Sequence, residues 1–94
     1  MNARALLAWN LRRLRVERGV SQEALAHEAS VDRAYVGGLE RRVHNPTIDL
    51  LNRLASTLGV EISEFFVKIP KGANAPKPLP GGRKVAKRAA RKKQ

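Results

Sequence analysis

With 94 residues and no cysteine, the chain has room for one domain around a single hydrophobic core, and neither a disulfide nor a thiolate zinc site can supplement that core. A formal net charge of +11 calls for a polyanionic partner. No apolar run approaches the roughly 18 residues a bilayer crossing needs and no signal-like apolar segment opens the chain, so a soluble cytoplasmic protein is expected.

Leu7, Leu11 and Leu14, with Leu6 and Trp9 nearby, recur at helical spacing and predict a first helix over about 4–18, with Trp9 at the core edge. Gly19 supplies the left-handed position that commonly ends a helix. Ser21 is a good N-cap for a second helix that runs to about Glu28, with Glu23 near its positive pole and Leu25, Ala26 and Ala29 carried with it. Asp32 reads as the next N-cap, opening a helix with Tyr35, Val36 and Leu39 that ends near Glu40. Gly37 and Gly38 in its interior each cost about 1 kcal/mol against alanine, so they mark either a wrong assignment or close approach to another surface.

After a loop over 42–46, Thr47 caps a fourth helix in which Ile48, Leu51, Leu54, Ala55 and Leu58 recur at core spacing, and Gly59 ends it. A last short turn over 63–66 carries Phe65 and Phe66, which cannot both enter one core. One of the two is expected to face a partner or to lie over the domain edge. Pro70, Pro76, Pro78 and Pro80 with Gly72, Gly81 and Gly82 make residues 70–82 an extended linker. The expected division is therefore a domain over 1–69, this linker, and a basic tail over 83–94 that is disordered on its own.

The charge follows the same division. Residues 70–94 hold nine Lys or Arg and no acid, whereas residues 1–69 hold ten cations against eight acids. In the tail, Arg83, Lys84, Lys87, Arg88, Arg91, Lys92 and Lys93 are expected to engage phosphates and make binding steeply salt-dependent. A merely solubilising extension is the alternative, and the interleaved alanines also admit RNA or an acidic surface as partner.

Only Ala29, Ser30 and Val31 separate the second and third helices. So tight a joint forces a large crossing angle and leaves the third helix protruding, narrow enough for a major groove about 12 Å wide. Gly19-Val20-Ser21-Gln22-Glu23-Ala24-Leu25-Ala26, then Val31, Val36, Leu39-Glu40-Arg41, Asn45-Pro46-Thr47, Leu51, Leu54-Ala55, Leu58-Gly59-Val60 and Phe65-Phe66 together resemble the Cro/cI-type (XRE family) helix-turn-helix domain, over roughly residues 4–66. The resemblance implies an all-α, five-helix lambda-repressor-like bundle and a transcriptional regulator that binds double-stranded DNA as a homodimer on near-palindromic operators. It implies that Gln22 touches phosphate and supports the reading helix, that Asp32, Arg33, Ala34 and Gly38 face DNA, and that Arg15 pairs with Glu40. Two positions depart from the family: Ser30 stands where the turn usually has glycine, and Arg42 where a glycine often follows the Glu-Arg pair. Ser30 is expected to need a left-handed backbone, and Arg42 to add a cation beside the reading helix.

The residue chemistry gives these positions separate roles. Arg33 can place its guanidinium fork on guanine O6 and N7, or only touch phosphate. Ala34 can pack on a thymine methyl, or simply favour helix. Gly38 has no side chain to read with, so it either admits close backbone approach to DNA or is tolerated drift. Gln22, Arg41, Arg42, His44 and Asn45 are candidates for phosphate contact. Tyr35 either joins them through its hydroxyl or covers the scaffold.

No enzyme is expected. His27 and His44 are far apart, and no serine sits beside a His-acid pair. No phosphate loop, metal cluster or cofactor site is evident either. The competing reading is a protein-interaction module, such as the antitoxin of a toxin-antitoxin pair or an adaptor. Ile62, Phe65, Phe66 and Ile69 would then present an apolar surface to a toxin, another protein or a second copy of the chain.

Overall fold

Four α-helices and a 3-10 helix follow one another in the computed structural model, which describes residues 2–73: α1 (Ala3–Glu17), α2 (Gln22–Ala29), α3 (Arg33–Glu40), α4 (Ile48–Leu58) and the 3-10 helix (Ile62–Phe66). Among the described residues the expected fifth helix is thus a five-residue 3-10 turn. Asn2, Ser21 and Thr47 cap α1, α2 and α4, each accepting from the backbone N–H three residues on, at 2.8 Å from Ala5, 3.0 Å from Ala24 and 3.0 Å from Leu50. These bonds satisfy donors that every helix start leaves without an intrahelical partner. Asp32 occupies the equivalent place before α3, but its carboxylate makes no capping bond. Left-handed residues close the segments: Gly19 after α1, Ser30 after α2 and Gly59 after α4, with φ of 67°, 59° and 73°.

Apolar stripes from every helix meet in one core. Leu7, Leu11 and Leu14 of α1, Leu25, Ala26 and Ala29 of α2, Val36 and Leu39 of α3, and Leu51, Leu54, Ala55 and Leu58 of α4 close around it. Trp9 is half-buried at its margin. The two phenylalanines divide: Phe65 is wholly buried in the core and Phe66 is 39% exposed. This corrects the expectation that Phe65 belongs to an outer surface, because the tight 3-10 turn aims one ring inward and its neighbour outward. Ile62 packs partly against the core.

A polar lock that sequence reasoning missed holds this turn in place. Asn10, fully buried on α1, shares the two hydrogens of its Nδ2 among the carbonyls of Leu6, Phe65 and Val67 at 3.0, 3.1 and 2.9 Å. Its Oδ1 accepts from Arg13 Nε at 3.1 Å, and Arg13 also donates to the Glu64 carbonyl at 3.3 Å. The turn therefore ends against α1 with its backbone carbonyls paired, as burial requires. No helix of the described residues is long and apolar enough to cross a membrane. The linker is described only as far as Ala73, and the tail residues 83–94 lie outside the described part.

Candidate nucleic-acid interface

The joint between α2 and α3 sets the site. Ser30 adopts φ 59°, ψ 46°, and Val31 donates back to the Ala26 carbonyl at 2.8 Å. The left-handed step reverses the chain within three residues, and Val31 then packs on the core and pins the new direction. Arg53 of α4 reaches across to the Ser30 carbonyl at 3.4 Å. The same device ends α3, where Arg42 takes φ 66° and Val43 donates to the Gly38 carbonyl at 3.0 Å. Ser30 and Arg42 thus hold, without glycine, the backbone shape that favours it, at a strain of order 1 kcal/mol each.

A buried ion pair fixes α3 against α1. Arg15 Nε and Nη2 donate to the two carboxylate oxygens of Glu40 at 2.7 and 3.0 Å, with side chains only 6% and 5% exposed. Arg15 Nη1 donates to the Val20 carbonyl at 2.9 Å, and Gln22 Nε2 donates to Glu40 Oε1 at 3.1 Å. Gln22 therefore engages α3 directly.

Of the residues expected to face DNA, Asp32, Arg33 and Ala34 are exposed together at the start of α3. Val36 and Leu39 behind them are buried in the core. Gly38 departs from expectation. It is buried, and a Cβ built on it would collide with His44 Cδ2 and Nε2 and come within 3.1 Å of Val43 Cγ2. Gly38 is a notch that seats the loop after α3. Gly37 is a second notch, where an added Cβ would lie 3.2 Å from Arg41 Nη1 and 3.5 Å from Gln22 Oε1.

The candidates for phosphate contact fall into three pairs. Gln22 and Arg41 both border Gly37, and His44 meets Tyr35 beside Gly38, with ring centroids 4.3 Å apart and planes within 9°. Arg42 and Asn45 are exposed in the same loop. Arg53, not singled out from the sequence, joins Asp32, Tyr35, Ser30, Val31 and Leu50 around a shallow groove beside the turn. No local signal connects it to the site, because the contact exists only once α4 packs on α2.

The helix-turn-helix family profile matches residues 11–65. The chain belongs to this family, of the Cro/cI type. A Neisseria hypothetical transcription factor, from Neisseria meningitidis serogroup B, is 44% identical over 64 residues, which make up 68% of this chain and 60% of that protein. The HTH-type transcriptional regulator y4dJ of Sinorhizobium fredii is 40% identical over 65 residues, covering 69% of this chain and 84% of the relative. The crystal structure of the restriction-modification controller protein C.AhdI from Aeromonas hydrophila superposes with a TM-score of 0.65 at 40% identity, covering 67% of this chain and 96% of that one. In this helix-turn-helix domain α2 and α3 are the two helices that flank the turn. Tyr35, His44 and the glycine notches lie on or immediately after α3.

Proposed function

We propose that the chain is a transcriptional regulator that binds double-stranded DNA sequence-specifically, with the first turn of α3 in the major groove. The observation that carries this reading is the joint exposure of Asp32, Arg33 and Ala34 on a helix whose opposite face is locked by Val36, Leu39 and the Arg15–Glu40 pair. A rigid rod with its reactive groups at one free end can be placed in a groove without further ordering. Arg33 reads guanine through O6 and N7, Ala34 packs on a thymine methyl, and the uncapped Asp32 carboxylate is free to accept from cytosine N4. Tyr35, Arg41, Arg42 and Asn45 position the domain on phosphates, and the cationic tail adds sequence-independent attraction.

Phe66 and Val67, 39% and 38% exposed at the end of the 3-10 helix whose Ile62 packs partly against the core, support association into a homodimer. Two reading helices related by a two-fold axis would meet successive major grooves about 34 Å apart. Such a protein acts where the DNA is, in the cytoplasm.

Selection of duplexes from a random pool by the full chain tests both statements. Enrichment of a near-palindrome with half-sites about one turn apart is expected. Arg33→Ala should flatten the preference at one base pair by about 1–3 kcal/mol while leaving the unfolding midpoint in place. No enrichment at low ionic strength would reject the reading.

A further inference from the structure

The Gly38 notch has a use beyond relieving a clash. An ordinary side chain at position 38 would project through the space that the His44 imidazole occupies. With glycine there, the imidazole lies against the helix backbone and stacks, with nearly parallel planes, on the ring of Tyr35, three residues before Gly38 on the same face. Tyr35 is half-buried, its ring packed partly against the core. Neither its hydroxyl nor a ring nitrogen of His44 hydrogen-bonds to another described residue. The phenol thus rests on the core and on the His44 ring, with its polar end uncommitted.

We propose that His44 is a positioning residue for DNA binding: seated in the Gly38 notch, it clamps the Tyr35 ring so that the hydroxyl is held ready for a DNA phosphate. The inference rests on the DNA-binding reading above and deepens it, since it assigns His44 to act through Tyr35 in place of touching phosphate itself. An aromatic side chain on the surface of a protein ordinarily samples several rotamers, and fixing one on binding reduces affinity. A stacked partner removes that cost in advance. The stack also ties the 41–47 loop to α3, which keeps Arg41 and Arg42 near the same strand.

Three sets of variants of the full chain test this, read on an enriched duplex and on the free protein. His44→Ala should weaken binding by about three- to tenfold, the range an aromatic stack supports. His44→Phe, which keeps a flat ring and loses both nitrogens, should restore affinity to within about twofold. In a Tyr35→Ala background, His44→Ala should change affinity no further, because the group it positions is gone.

In the free protein, Gly38→Ala should lower the unfolding midpoint when His44 is present and raise it when His44 is alanine, since the added methyl then favours helix and presses only on the Val43 side chain, which is 58% exposed and can move aside. His44→Phe binding as weakly as His44→Ala would overturn the proposal, because the imidazole nitrogens would then be making the contact. Independent, multiplying losses from Tyr35→Ala and His44→Ala would overturn it as well. If the wild type binds no duplex, the DNA-binding reading falls and this role with it. The Gly38 and His44 stability cycle would still report separately whether the stack exists.

Discussion

Glu40→Ala is the most informative single change outside the reading turn. It removes two charge-assisted bonds to Arg15, at 2.7 and 3.0 Å, and one from Gln22 at 3.1 Å. The Arg15 guanidinium would stay buried, 6% exposed, with the Val20 carbonyl as its one remaining partner among the described residues. An orphaned buried cation costs about 3–5 kcal/mol. Domains of this size hold only about 5–15 kcal/mol in total, so the variant should lose a large part of its stability. Glu40→Gln keeps the shape and one acceptor and should cost less, about 1–3 kcal/mol.

Replacing both partners, Arg15→Met with Glu40→Leu, removes the desolvation penalty together with the attraction and should return stability to within about 1–2 kcal/mol of the wild type. Urea unfolding followed by far-UV circular dichroism measures all of these proteins, and the double-mutant cycle isolates the pair. A Glu40→Ala loss below about 1 kcal/mol, or strictly additive single losses, would refute the claim that this pair locks α3 to α1.

Three further outcomes follow from the same geometry. Ser30→Gly relieves a left-handed serine with φ 59° and should raise stability by about 0.5–1 kcal/mol, a gain of a few degrees in thermal midpoint. Asn10→Ala strands the carbonyls of Phe65 and Val67 beside α1 and should destabilise by about 2–4 kcal/mol, with hydrogen exchange accelerating first around residues 62–66. Deleting residues 83–94 removes seven cations and should weaken binding to all duplexes alike, lowering the salt slope by about 0.9 for every phosphate the tail neutralises; an unchanged slope would dismiss the tail's part.

Helix positions, their caps and most of the core were legible in the sequence because each depends on near neighbours along the chain. Ser21 and Thr47 bond to an N–H three residues away, Gly59 sits where only a left-handed backbone ends the helix, and Leu51, Leu54 and Leu58 repeat at the helical period. The strain at Ser30 was foreseeable only through the family resemblance, which puts a glycine at that turn position. Asp32, Arg33 and Ala34 were named through the resemblance, and the three-residue joint gave only the protrusion of the helix that carries them.

Packing decided the rest. Whether Phe65 or Phe66 turns inward depends on the pitch of a 3-10 turn held by Asn10, 55 residues earlier in the chain at its Phe65 contact. Asn10 itself had a trace in the sequence, a polar residue inside the Leu7–Leu14 stripe, but its three acceptors are assembled only when the last turn closes on α1. Gly38 as a seat for His44, the stack on Tyr35 and the approach of Arg53 to the α2–α3 joint have no periodic signature. Such contacts join side chains whose separation is set by how whole helices cross, and local propensity carries no information about that angle.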